Sequence, residues 1–312
     1  MHIQKILLKF ALAKPQQGSL AEWLGTGLQN RLQQFDSARN LKIKPAHAGF
    51  VVYHLTKSLF MEEKPLIFIS NDDSINAPGL RRLVDCVKCL GDVVVVAPEL
   101  PQSGMSSAMT INSPLRVKQY DDYNGAKMYS VNGTPVDCVK LPLHTFLDRM
   151  PNLVVTGINH GSNAGNNILY SGTMGAAFEG AMVGIPSIGF SILSPSMDVD
   201  FSHCAPHITN IARKILENGL PYRTCLNVNF PVGEIKGIKV VRTAISHWTE
   251  EYMKYTDPHG KDFYWLTGSI INEEPDCDET DLYWLDRGYA TIVPAQISQD
   301  ATALIEPLKK IF

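Results

Sequence analysis

Three stretches of this sequence bring oxygen donors to places where an α/β sheet would expose them. Ser70-Asn71-Asp72-Asp73-Ser74 ends one short apolar run, Gln102-Ser103-Gly104 follows a second at 93–97, and Gly157-Ile158-Asn159-His160-Gly161 follows a third at 153–156. Ligands of open parallel sheets bind outside the carboxyl ends of the strands, so all three stretches fall on one edge. Taken alone, adjacent aspartates are most simply a turn and helix cap. Joined by a serine hydroxyl and an asparagine carbonyl they make an all-oxygen set. Hard divalent cations such as Mg²⁺ or Mn²⁺ take such ligands, with water completing the shell. Asp72, Asp73, Ser103 and Asn159 are therefore the expected ligands of one divalent metal ion.

The Gly-rich segment 157–165 lets its backbone approach a ligand closely. Tyr170-Ser171-Gly172-Thr173 then opens a helix, whose first N–H groups lack partners and whose dipole is positive there. A Ser or Thr in that position is usually a cap, yet the same terminus is a ready phosphate site. Charge arithmetic links the two features. A carboxylate about 5 Å from a phosphate repels it by about 3 kcal/mol per unit-charge pair at an effective dielectric of 20. Two such carboxylates would reject a phosphate unless a cation cancelled them.

The elements that must hold these residues alternate. Residues 66–70 and 93–97 are continuous apolar runs, as expected for strands buried on both faces, with helical spacing over 78–90 between them. Thr134-Pro135 supplies an N-cap and a proline at N1 for a helix to about residue 148. A strand at 153–156, a helix from about 171 to 183, strands at 185–192, 225–230 and 238–242 and a helix over 201–218 complete the pattern. It predicts an α/β fold, a Rossmann-like, doubly wound, mostly parallel sheet. After Arg242 the periodicity gives way to aromatic and acidic stretches, with a strand near 289–293, and the expectation is a β-rich appendage.

The composition fits a folded domain. The chain has 312 residues, 45% hydrophobic and 19% charged, with 23 Gly and 19 Pro, which excludes disordered, collagen-like and coiled-coil classes. A net charge of −3 offers no basic field for a nucleic-acid polymer. Residues 1–60 differ from the rest. They carry eight Lys or Arg and two acids, a net +6 that leaves −9 for the remainder of a chain whose total is −3. The apolar stretch 6–13 is too short for a membrane span and is interrupted by Lys9, so no membrane anchor or signal is expected. This segment reads as a weakly packed extension, as an organelle transit peptide, or as a start assigned too early, since Met61 directly precedes the first strand. The six cysteines are too few and scattered for a disulfide scaffold, which points to a reducing cytoplasm. Cys86 and Cys89 are expected to be two ordinary core thiols of one helix face.

In order along the chain, Ser70-Asn71-Asp72-Asp73 with Ala77-Pro78-Gly79, Val95-Val96-Ala97-Pro98 with Ser103-Gly104, Gly133-Thr134-Pro135-Val136-Asp137-Cys138, Gly157-Ile158-Asn159-His160-Gly161-Ser162-Asn163 and Tyr170-Ser171-Gly172-Thr173, followed by Glu179-Gly180, resemble the SurE stationary-phase survival proteins. These are metal-dependent 5'/3'-nucleotidases. The likeness spans about residues 65–294. It implies a single nucleotidase domain over 61–312 and one divalent ion, Mg²⁺ or Mn²⁺, on Asp72, Asp73, Ser103 and Asn159. It also implies a phosphate pocket of Asn163, Ser171, Gly172 and Thr173. The implied substrates are nucleoside 5'- and 3'-monophosphates, with short polyphosphate allowed. Homodimers or homotetramers would form through a C-terminal arm at about 245–285. Two departures stand out: Ser74 replaces the usual Gly after the aspartate pair, and His160 and Ser162 replace residues that are commonly Ala and Pro.

The expected mechanism is attack on the ester by a water that the metal activates, with Asp72 or Asp73 as general base and His160 as a possible acid for the leaving group. Trp248, Tyr264, Trp265, Tyr283 and Trp284 are expected to be buried in the arm or an oligomer interface, or to stack on a base. An aspartyl-phosphate hydrolase would normally use Asp-x-Asp, whereas these aspartates are consecutive. A nucleotide-binding module would be expected to show G-x-G-x-x-G after the first strand, and it does not.

Overall fold

A computed structural model describes residues 64–312; the expectations for residues 1–60 lie outside the described residues. The chain runs β1 (Leu66–Ser70), α1 (Pro78–Val87), β2 (Asp92–Pro98), β3 (Val117–Tyr123), β4 (Ala126–Val131), α2 (Pro135–Thr145), β5 (Leu153–His160), α3 (Gly172–Met182), β6 (Ser187–Ile192), α4 (Ala205–Asn218), β7 (Thr224–Phe230) and β8 (Ile238–Val240). The arm contributes β9 (Ser246–Thr249), β10 (Tyr252–Thr256), β11 (Asp262–Leu266) and β12 (Ser269–Asn272). Then α5 (Asp281–Leu285) and β13 (Ala290–Gln296) return to the body, and α6 (Ile305–Lys309) follows.

Nine strands form one sheet in the order β3-β4-β2-β1-β5-β6-β7-β13-β8. The six from β4 to β7 are parallel to one another. Their order reverses between β1 and β5, the switch point at which such sheets open a ligand crevice. The continuous apolar runs follow from this burial. On β1, Ile67 and Ile69 pack with Leu80, Leu83 and Val84 of α1 and Ile208 of α4, while Phe68 packs with Cys138 and Val139 of α2 and Ala176 of α3. Successive strand residues therefore face opposite helix layers, and apolar side chains are favoured at most positions.

Several boundaries differ from the sequence reading. Strands β3 and β4 are additional: β3 is mostly exposed and polar and lacks an apolar run, while the Asn124-Gly125 turn between them, with φ of 49° and 85°, is a hairpin signal. Strand β5 runs on through Asn159 and His160, with its register on β6 shifting between Thr156 and Asn159. Both residues are thus held by the sheet rather than by a free loop, beyond an irregularity that re-aims side chains. Helix α1 stops at Val87, so Cys86 is a buried thiol but Cys89 is exposed, which corrects the expectation of two core thiols. The appendage is β-rich as expected: β9 pairs with β12 and β10 with β11, each antiparallel.

Candidate metal and phosphate site

The carboxyl end of β1 runs directly into Asn71, Asp72, Asp73 and Ser74. Asp72 is 4% exposed. Its Oδ1 accepts the Thr173 hydroxyl at 2.5 Å, and its carbonyl accepts the Gln102 amide at 2.7 Å. These bonds join the β1 end to the start of α3 and to the loop after β2. Gly172 lies so close that a Cβ there would sit 2.9 Å from the Asp72 Cβ and 3.0 Å from its Oδ2, which explains a glycine at the first turn of this helix. Burial pushes the Asp72 carboxyl up from the ordinary 3.8 to about 6; the Thr173 hydrogen bond opposes the rise and the Asp73 charge adds to it. Two adjacent like charges, one of them desolvated, form a pair that a cation would stabilise.

Asp73 sits beside His160. The His160 backbone N–H is 3.2 Å and its ring Nδ1 2.8 Å from Asp73 Oδ2. Asn159 donates its amide to the Gly161 carbonyl at 2.9 Å, so its Oδ1 is the atom left for a ligand. Ser103 is exposed and lies next to Gln102, whose amide bonds Asp72. Its loop is pinned further on, where Thr134 Oγ1 donates to Ala108 O at 2.7 Å and Asp137 accepts from Thr110 N at 3.1 Å. The same Thr134 and Asp137 form the capping box of α2. Ser74 adopts φ of 100°, a conformation that favours glycine, and its carbonyl accepts from the Asn71 amide at 3.0 Å.

A divalent ion fits these residues on three grounds. The donors are all oxygen. Asn71 Oδ1 and Ser70 Oγ, immediately before Asp72, are buried with no hydrogen-bond partner among the described residues, as at a site completed by a ligand and its water. Asp72 keeps Oδ2 clear of the Thr173 bond. Among the described residues no group of three or more His, Cys, Asp and Glu gathers to hold a metal. The set therefore depends on the neutral oxygens of Ser103 and Asn159, as Mg²⁺ and Mn²⁺ sites allow.

The phosphate residues divide. Ser171 caps α3 by accepting from Met174 N at 3.0 Å, which leaves its own proton to donate. The Thr173 proton is already given to Asp72, so the expectation of two hydroxyls for phosphate is corrected to one, with the backbone N–H groups of the first turn beside it. Asn163 is 5% exposed. Its backbone N–H donates to Asn229 Oδ1 at 2.9 Å, its side-chain amide to Ser191 Oγ at 2.7 Å, and its carbonyl accepts from Asn227. Asn163 thus pins the Gly-rich loop to β6 and β7. His160 has a side chain only 2% exposed, with no ring nitrogen at the surface from which to hand a proton to a leaving group.

Sequence reasoning missed the residues that clamp this loop. Asp281, fully buried, accepts from Gly165 N at 3.0 Å and from Ala244 N and Leu282 N at 2.8 Å. Ser246 and Trp248 of the arm bond Asn166 and Asn167. Asn227 and Asn229, alternate residues of an otherwise apolar strand, carried a usable signal; Asp281 carried none. Of the arm aromatics, Tyr264 and Trp265 are 61% and 64% exposed in the single chain, whereas Trp248, Tyr283 and Trp284 are half-buried.

A family model described as Survival protein SurE matches residues 67–250. A protein named 5'-nucleotidase SurE from Christiangramia forsetii is 49% identical over 79% of this chain and 96% of its own length. Another of that name from Bacteroides fragilis is 44% identical over 80% and 98%. The crystal structure of the SurE protein from Aquifex aeolicus superposes with a TM-score of 0.69 at 36% identity, covering 79% of this chain and 99% of that one.

Proposed function

Because the chain belongs to the SurE family, we propose that it is a 5'-nucleotidase, hydrolysing nucleoside monophosphates to nucleoside and phosphate with the help of one divalent cation, Mg²⁺ or Mn²⁺. The observation that carries this reading is the Asp72–Thr173 contact of 2.5 Å, which brings paired carboxylates and a helix N-terminus together at the sheet's switch point. Asp72, Asp73, Ser103 and Asn159 would hold the cation. When bound, it supplies charge neutralisation and a more acidic water. The first-turn amides of α3 and the Ser171 hydroxyl bind phosphoryl oxygens, oriented so that the ester faces the carboxylates. Asp72 or Asp73 accepts the proton of the attacking water.

The name shared by these relatives, 5'-nucleotidase SurE, supports the 5' activity. Hydrolysis of 3'-nucleotides and of short polyphosphate is proposed from the family resemblance alone. The absence of disulfides among the described cysteines suits a reducing cytoplasm, and no helix of the described residues is long and apolar enough to cross a membrane. The exposed β10–β11 hairpin, carrying Tyr252, Tyr264 and Trp265, is proposed as the face through which the chain pairs into dimers or tetramers, since an isolated hairpin is marginal in water. The test is phosphate release from a panel of 5'- and 3'-nucleotides with Mg²⁺, Mn²⁺ or chelator. Release that requires the cation and favours 5'-monophosphates is expected; nucleotide binding without cation-dependent release would overturn the proposal.

A further inference from the structure

His160 is tied into the site more closely than a bystander needs to be. Its backbone N–H, at 3.2 Å, and its ring Nδ1, at 2.8 Å, converge on the same atom, Asp73 Oδ2. The ring is enclosed. Phe201 meets it edge-on with centroids 5.5 Å apart, and a Cβ on Gly79 would lie 3.1 Å from its Cε1 and 2.2 Å from the Ile158 carbonyl oxygen. A side chain larger than hydrogen at position 79 would therefore clash with the Ile158 carbonyl and press on the imidazole. Nε2 is buried and has no partner among the described residues, and because a carboxylate only accepts, a hydrogen on Nδ1 is what the Asp73 contact calls for.

We propose that His160 is a positioning residue, which fixes the Asp73 carboxylate so that Oδ2 is occupied and Oδ1 alone is offered to the divalent cation. The inference rests on the metal-site reading above and deepens it. Asp73 is only partly buried, and its like-charged neighbour would drive its carboxylate toward solvent. Two donors on one oxygen hold both of its side-chain torsions. Outer partners that orient a ligand in this way typically change metal affinity 10–100-fold when removed.

The experiment uses the full chain and measures Mn²⁺ binding by calorimetry, with the metal-free unfolding midpoint recorded beside it. His160→Phe and His160→Leu, two variants of different shape without the Nδ1 donor, should bind Mn²⁺ about 10–100-fold more weakly than the parent. His160→Asn, whose amide nitrogen can take the place of Nδ1, should recover affinity to within about 5-fold of the parent on the same basis. At saturating Mn²⁺ the donorless variants should regain turnover equally on a nucleoside monophosphate and on 4-nitrophenyl phosphate, whose leaving group needs no proton. Parent-like Mn²⁺ affinity in both donorless variants would overturn the inference while leaving the metal site standing. Loss confined to the nucleotide would overturn it in favour of a proton donor. A parent protein that binds no Mn²⁺ would overturn the site reading and this inference together.

Discussion

Asp72 keeps a carboxylate largely withdrawn from water, and the metal-free fold bears the consequence. A carboxyl raised from 3.8 to about 6 on folding binds more protons folded than unfolded between those values. Its contribution favours the folded state at low pH and is lost as pH rises through about 6, on the order of 3 kcal/mol by neutrality. Asp72→Asn, which keeps an acceptor for Thr173, should therefore raise metal-free stability above pH 6, while abolishing Mn²⁺-dependent phosphate release. Urea unfolding in chelator at pH 4.5 and 7.5 reads it: the gain should be larger at the higher pH, and an equal or negative effect there would contradict the burial account. The aspartates, Ser103 and Asn159 stood out in the sequence as candidates because they lie at or just beyond the carboxyl ends of apolar runs, where an open parallel sheet binds its ligands. The roles of Gly79 and Gly172 were not, because each is set by an atom tens of residues away, Ile158 O and Asp72 Cβ. Nor was the fate of the Thr173 hydroxyl, which depends on how far Asp72 leans toward α3.

At the scale of elements, the ligand loop is held from outside the parallel sheet. Asp281 opens α5 and gives one carboxylate oxygen to Gly165 and the other to Ala244 and Leu282. Asn at this position could accept through only one oxygen and would turn an amide N–H toward buried donors. Asp281→Asn should cost about 1–3 kcal/mol of stability and lower turnover by loosening the 165–170 segment before Ser171. Unfolding and kinetics on one preparation check both, and full activity with parental stability would show that the clamp is dispensable. Runs made up mostly of apolar residues made β1, β2, β6 and β7 readable, because burial on both faces favours that composition. The β3–β4 hairpin escaped, since an exposed edge strand such as Val117–Tyr123 has no run to read. Asp281 and the arm's grip on the loop were invisible for a different reason: their partners are remote in sequence, whereas the polar Asn227 and Asn229 in an apolar strand could have been read.

For the whole molecule, the sheet order brings the ends of β1 and β5 side by side and sets the start of α3 against them. Alternating runs and helices implied a doubly wound sheet, and the observed order, reversing between β1 and β5, places the acidic pair at the only crevice such a sheet opens among its parallel strands. The antiparallel β13, which lies between β7 and the edge strand β8, carries the chain back from the arm and so links the arm to the body. The sequence foretold a strand near 289–293 but not its antiparallel place between them. Diffraction from crystals soaked in Mn²⁺, recorded at a wavelength that identifies the metal, tests the account most directly. It predicts one manganese peak per chain, about 2.1 Å from oxygens of Asp72 and Asp73, with Asn159 and Ser103 in its shell directly or through water. A peak elsewhere, or none at full soaking concentration, would contradict it.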